Sequence, residues 1–192
     1  NGFMHKQHIS KIIAFVGMPG AGKTSAIEYL VKKNIPKVYF GGVVLDALKE
    51  EGYELNETNE KMMREKLRRE HGSDVIVTRI ITQIEDLINA GQKEILADGL
   101  YSWTEFKTLK QAFAHQVIVI GVVTPRAERH KRLAEREIRP INRDEAAKRD
   151  WAEIESLEKG GPIAIADYYI VNNGSLGHFH DQIDEIMGVI GI

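Results

Sequence analysis

Two hydrophobic patterns alternate along the chain. Ile12-Ile13-Ala14-Phe15-Val16 and the run from Val117 to Val123 are continuous, short and rich in β-branched residues. A segment like that reads as a strand buried on both faces. Glu94 to Asp98, Tyr168 to Val171 and Lys37 to Phe40 are further short strands, the last bounded by Pro36 and Gly41-Gly42. Between them the pattern is helical: Lys23 to about Lys33, Trp103 to about Ala114, Arg143 to Glu158 and Leu176 to about Val189. Pro125, where helices often begin, opens another helix reaching about Arg136. From Val43 to about Ala90 the helical pattern breaks near Gly52 to Asn56 and near Gly72, with Asn56 and Thr58 as caps. Strands alternating with helices predict an α/β fold, a parallel five-stranded sheet in three layers. The expected organisation is a single domain over 1–192, with a helical insert at about 43–90 and a lid at about 125–158. Repeats and low-complexity linkers are absent from the sequence.

The first strand ends in Gly17-Met18-Pro19-Gly20-Ala21-Gly22-Lys23-Thr24, which matches G-x-x-x-x-G-K-[ST] at every fixed position. The glycines let successive backbone N–H groups turn toward phosphate oxygens, and the following helix adds its positive N-terminal end. Because the motif follows a strand and opens a helix, it reads as a phosphate grip for ATP or a similar triphosphate, Gly17 to Ser25 forming the cradle. Lys23 bridges the β- and γ-phosphates in this reading, and the Thr24 hydroxyl ligates Mg2+. The second oxygen ligand is expected from Asp98, at the carboxyl end of an apolar strand, where ligands of open α/β sheets gather. Asp98 either holds a metal-bound water, accepts a proton from an acceptor hydroxyl, or caps the turn before Gly99.

Arg126, Arg129, Arg132, Arg136 and Arg139 recur at spacings of three and four and so share one helical face, with Glu128, Glu135 and Glu137 off it. A solvated surface helix would carry such a face. Beside a phosphate grip, it reads instead as a lid that closes over the nucleotide, excluding water and meeting the charge of the transferring phosphoryl group. Arg129, Arg132 and Arg136 are the candidates for that role, and Arg143 and Arg149 are weaker ones.

Together these features resemble the nucleoside-monophosphate-kinase branch of P-loop proteins, above all dephospho-coenzyme A kinases and an archaeal group of kinase-like proteins related to them. The resemblance runs from Ile12 to about His180. It rests on the P-loop, the strand end Leu96-Ala97-Asp98-Gly99, the segment Arg129 to Arg136, and most specifically Ala164 to Leu176 with Asp167 and Asn172-Asn173-Gly174-Ser175. Arg149-Asp150 and the stretch Arg64 to Gly72 are similar to the archaeal group. The resemblance implies an ATP- and Mg2+-dependent kinase with a nucleotide-like small-molecule acceptor. It makes Asn172, Asn173 and Gly174 candidate contacts to the base of the donor. It also exposes a departure. These relatives carry an aspartate near Gly42, the presumed base for the acceptor hydroxyl in dephospho-coenzyme A kinases, and an arginine shortly after. This chain has Gly42 and Leu45 there, with Asp46 one turn on as a possible substitute, and Tyr101 where the archaeal group commonly has arginine. A nucleotide-binding switch or slow NTPase is therefore the alternative function.

Composition narrows the partners. A formal net charge of -2 gives no bulk attraction to nucleic acid or to anionic lipid. No apolar run approaches the ~20 residues of a membrane span. The absence of cysteine excludes disulfides and thiolate metal sites and fits a reducing cytoplasm. Asn1-Gly2-Phe3 before Met4 offers neither part of a signal peptide. The seven histidines, His5 and His8 among them, have no metal-ligand spacing beyond His178-x-His180, read as surface. Arg64 to Arg69 contains Glu65 and is followed by Glu70, so it reads as a solvated helix face. Arg79 is a candidate for an acceptor phosphate. Tyr101 and Trp103 either stack on an acceptor base or pack the helix behind them.

Overall fold

The computed structural model describes residues 9–100 and 102–192. Tyr101, His5, His8 and the segment around Met4 lie outside the described residues. Five strands form one parallel sheet in the order β2-β3-β1-β4-β5: β1 Lys11–Val16, β2 Lys37–Tyr39, β3 Glu94–Asp98, β4 Val117–Val123 and β5 Tyr168–Val171. β1 lies between β3 and β4, with Ile13 opposite Leu96 and Ile118. Because side chains alternate across a strand, each central strand feeds two cores. Ile12, Ala14 and Ala97 enter one, together with Val44, Leu48, Ile80, Ile84 and Leu109. Ile13, Phe15, Leu96 and Ile120 enter the other, with Ile27, Leu30, Phe179 and Ile183. The architecture is therefore the expected three layers.

Helices α1 (Lys23–Val31) and α9 (Leu176–Ile190) cover one face. The other is covered by α2 (Phe40–Glu50), α4 (Val75–Asn89) and α5 (Trp103–Phe113), with α3 (Glu57–His71) packed on α2 and α4. Asn56 caps α3, its side chain accepting the N–H of Asn59 at 2.8 Å, whereas Thr58 lies inside the helix. Gly41-Gly42 does not end a strand, because Phe40 already begins α2 and both glycines lie in its first turn. The charged region after β4 forms α6 (Arg126–Glu135) and α7 (Arg143–Glu155), the latter opened by a reciprocal Asn142–Glu145 capping box. A short helix, α8 (Gly160–Ala164), follows where the Gly-Gly-Pro sequence gives no helical signal. In the loop before β5, the Asp167 backbone N–H donates to Val119 O and its carboxylate accepts the Val119 N–H, both at 2.8 Å, which fixes that strand's entry.

Candidate functional site

The loop between β1 and α1 leaves the carboxyl edge of the sheet at its centre. Gly20 and Gly22 take positive φ values of 80° and 113°, a backbone region that side chains disfavour. Each also has a neighbour where a side chain would begin. A Cβ on Gly20 would stand 2.7 Å from Arg129 O of α6, and one on Gly22 would collide with the Asn172 amide. Gly22 is the N-cap of α1 and supplies no side-chain cap, so the first-turn N–H groups remain directed outward, the arrangement that binds anions. Asn172 is buried at the end of β5, and its Nδ2 donates to Ala21 O at 2.8 Å. Thr124 reinforces this brace with bonds to Ala21 O and Asn172 O. The loop is thus pre-shaped by its neighbours.

The arginine segment differs from expectation. α6 ends at Glu135, Arg136 is extended, and Arg139 has a positive φ of 53°, so the five arginines do not share one face. Most of them are also paired. Arg129 is buried and forms a fork onto Asp150 of α7, at 2.8 and 3.0 Å, while also donating to Pro19 O at 3.0 Å. His130 shares Asp150 at 2.9 Å. Burial works to raise the Asp150 carboxyl, but the bonds from Arg129 and His130 hold it below the usual carboxylate range. Arg132 donates to Asn172 O at 3.0 Å and lies 3.5 Å from Glu128. Arg139 pairs with Glu57 at 2.8 Å. Arg129 and Arg132 thus tie α6 to the phosphate loop, and Arg136 alone of the five lines the adjoining cavity.

That cavity, about 690 Å3, opens over the sheet edge. Pro19, Gly20, Lys23 and Thr24 form its floor, and Tyr39, Gly41, Val44 and Leu45 one side. Glu60, Arg64 and Arg68 reach it from α3, at positions four apart and so on one helical face. Gly99, Ser102 and Glu105 follow β3, while Arg136, Arg149, Glu153 and Lys159 come from the region after β4. Asp74 and Glu158 line it as well, so cationic and acidic groups are nearly matched. Lys23 donates to Gly17 O at 2.5 Å. Burial first, then Lys159, Arg149 and Arg129, lower its ammonium from 10.5 to about 7, against the pull of Glu153. Lys159 and Glu153 are both buried and form an ion pair, and Arg149 lies 3.4 Å from the same carboxylate. Burial pushes Glu105 up from 4.5 to about 7, against the Ser102 hydrogen bond and the charges of Arg68, Arg64 and Lys159.

Other expectations separate here. Asp98 stands at the end of β3 beside Gly99, off the cavity lining, with Lys37 Nζ at 3.3 Å from its carboxylate. Thr24 is exposed on the floor. A hydroxyl and a carboxylate are the hard oxygen donors Mg2+ accepts, and that ion takes its remaining ligands from phosphates and water; the chemistry of the two donors fits, with the Asp98 carboxylate held by Lys37 in this structure. Among the described residues no cluster of three or more His, Cys, Asp or Glu could hold a metal by itself. Asp46 is exposed and off the cavity, so it does not stand in for the carboxylate missing at Gly42. Arg79 is likewise exposed and off the cavity, and Arg143 does not line it. Trp103 packs: its ring stacks on Phe106 at 5.3 Å and lies against Gly161. His180 stacks on Tyr29. Arg64 and Arg68, expected on a solvated helix face, line the cavity instead, and Glu105, Glu153 and Lys159 carried no expectation as site residues. For Glu105 a signal existed, the Ser102-x-x-Glu105 helix start just beyond the Asp98 edge.

The comparisons agree with this geometry. Residues 13–158 match the family described as AAA domain. A UPF0200 protein of Thermococcus kodakarensis is 30% identical over 182 residues, covering 93% of this chain and 97% of that one. A UPF0200 protein of Methanosarcina barkeri is 31% identical over 179 residues, covering 92% and 94%. Among solved structures, shikimate kinase from Bacteroides thetaiotaomicron superposes with a TM-score of 0.58 at 11% identity, over 95% of this chain and 99% of that one. The shared fold is that of P-loop kinases. With the family match spanning most of its length and archaeal relatives aligned nearly end to end, the chain belongs to the AAA-domain family and is one of the UPF0200 proteins.

Proposed function

We propose that this protein is a Mg2+-dependent kinase that moves the γ-phosphoryl of ATP to a small nucleotide-like acceptor of the dephospho-coenzyme A or nucleoside monophosphate type. The observation that carries the reading is one cavity lined both by the phosphate loop and by a separate pair of arginines, Arg64 and Arg68, from α3. A protein that only bound triphosphate would need the floor; a second pair of cations in the same cavity suits a second anion. In this reading Lys23 and the loop amides hold the β- and γ-phosphates. Thr24 and Asp98 would hold Mg2+, which supplies charge neutralisation at the phosphates. Arg136 and Arg149 meet charge developing on the transferring group, while Arg129 and Arg132 act by positioning α6 and the loop. Asn172 orders the loop, and Asn173 and Gly174, exposed just beyond it, are placed to meet the donor base. Residues 125–158 act as the lid and 43–90 as the acceptor side, in a cytoplasmic setting.

One observation favours the alternative of a switch or slow NTPase: the acceptor side has glycine at Gly42 and a leucine at Leu45 in place of an aspartate and an arginine. A coupled ADP-release assay separates the two. The full chain is given ATP and Mg2+ with nucleoside monophosphates, dephospho-coenzyme A and, because the fold is shared with shikimate kinase, shikimate. Kinase action requires ADP release that rises with one acceptor and a phosphorylated product. Release indifferent to all of them supports the switch.

A further inference from the structure

If the aspartate after β2 is missing, the acceptor's proton needs another destination. We propose that Glu105 receives it, making this side chain the catalytic base of the transfer; the inference rests on the kinase reading above. β3 is the hydrogen-bonded neighbour of β1, so the helix start that follows it stands beside the phosphate loop. Glu105 lines the same cavity as Lys23 and Thr24.

Its local bonding differs from that of a full capping box. At a full capping box, as at Asn142–Glu145, the third-position carboxylate turns back to the cap's own N–H. At α5 the Ser102 hydroxyl accepts the Glu105 N–H at 3.0 Å and donates to Glu105 Oε1 at 3.2 Å. Competing carboxylates are less suited. Glu153 is engaged by Lys159 and Arg149. Glu158 is exposed and takes the Thr104 hydroxyl. Glu60 lies in the first turn of α3, one turn before Arg64, and Asp74 stands at the start of α4, neither of them on the segment that follows β3. The charges that act on Glu105 are those of Arg68 and Arg64 from α3 and Lys159 from the segment before β5, and the carboxylates of Glu60, Asp74, Glu153 and Glu158 line the same cavity. The two arginines hold an anionic group of the acceptor while Glu105 faces its hydroxyl. A carboxylate made more basic by burial, to about 7, is a better proton acceptor near neutral pH than an ordinary one.

The step balances without another reactant. The acceptor oxygen bonds to the γ-phosphorus as the bond to the β,γ-bridging oxygen breaks. ADP leaves with that electron pair, and the hydroxyl proton passes to Glu105 and then to solvent.

Glu105→Gln keeps the shape and the Ser102 bond while removing the base. With the acceptor that the panel identifies, it should lower kcat by roughly 100-fold or more. Binding of Mg-ATP by calorimetry should stay within about twofold, which also reports that the variant is folded, and the acidic limb of the kcat profile near pH 7 should vanish. Glu105→Asp should retain a limb at lower pH. A Glu105→Gln variant that keeps wild-type kcat, or keeps the limb, overturns the assignment while leaving the kinase reading standing. If wild type hydrolyses ATP but phosphorylates nothing, the kinase reading fails, and Glu105 is judged with water as acceptor: an unchanged hydrolysis rate in Glu105→Gln then sinks it too. A wild-type protein that consumes no ATP overturns both.

Discussion

Lys23→Met should make the nucleotide-free protein more stable while destroying its grip on triphosphate. The half-buried ammonium is set near Lys159, Arg149 and Arg129, and its pKa falls from 10.5 to about 7. Keeping it in the folded state near neutral pH therefore costs on the order of 4 kcal/mol relative to the unfolded chain. The side chain returns part of this through hydrogen bonds to Gly17 O and Met18 O, about 1 kcal/mol each in net terms. Methionine fills a similar volume with no charge, so the gain should be about 2 kcal/mol, or a Tm roughly 4–8 °C higher for a chain of this length. The pH dependence has a defined sign. The folded pKa lies below the unfolded one, so the penalty is complete below pH 7, shrinks between pH 7 and 10.5, and is gone above that. The advantage of the variant should therefore be largest at pH 6–7 and vanish by about pH 10.5, where the lost hydrogen bonds leave it slightly less stable. Urea unfolding of both proteins at pH 6.5, 8 and 10, with calorimetry of Mg-ATP at pH 7, measures both halves. A variant that is less stable at pH 6.5, or whose advantage does not change with pH, would refute the argument that this lysine is held against its own solvation.

The same lysine predicts a proton signal. At pH 7 it is about half protonated in the free protein, and a polyphosphate beside it should complete the charge, so binding should take up roughly half a proton. Calorimetry in buffers of different ionisation enthalpy reads this directly, and an uptake that persists in Lys23→Met would assign it elsewhere. Asp150→Asn leaves Arg129 buried with a poor partner and should cost roughly 3 kcal/mol in urea unfolding. It should also weaken Mg-ATP binding, because Arg129 holds Pro19 O; a change under about 0.5 kcal/mol would reduce the pair to decoration.

The strands were readable because each is a short apolar or aromatic run, the central β1, β3 and β4 buried on both faces and the edge strands β2 and β5 only in part, and β1, β3, β4 and β5 fall within a residue of where those runs begin and end. Gly41-Gly42 misled because glycine usually punctuates, whereas here two glycines lie in the first turn of a helix whose buried residues are Phe40, Val43, Val44, Ala47 and Leu48. The phosphate loop was legible since its spacing encodes backbone shape. The arginine face was not. Spacing implied a continuous helix, but the turn after Glu135 and the buried partner Asp150, over a dozen residues on, redistributed those charges. Arg64 and Arg68 were hidden by their own balance with Glu65 and Glu70. Both glutamates are exposed and absent from the cavity wall, and a linear count cannot tell which way a helix is turned.

Arg129 serves three structural pieces with one planar group: its own helix, the carboxylate of the next and a carbonyl of the phosphate loop. A lysine there would preserve the charge but could not span two oxygens of Asp150 while reaching Pro19. Any sideways slide of the hairpin would tug on the loop that faces the nucleotide, so news of what that hairpin touches can travel inward through a single rivet. Natural variation at this position should accordingly be intolerant of even the gentlest exchange of one cation for another.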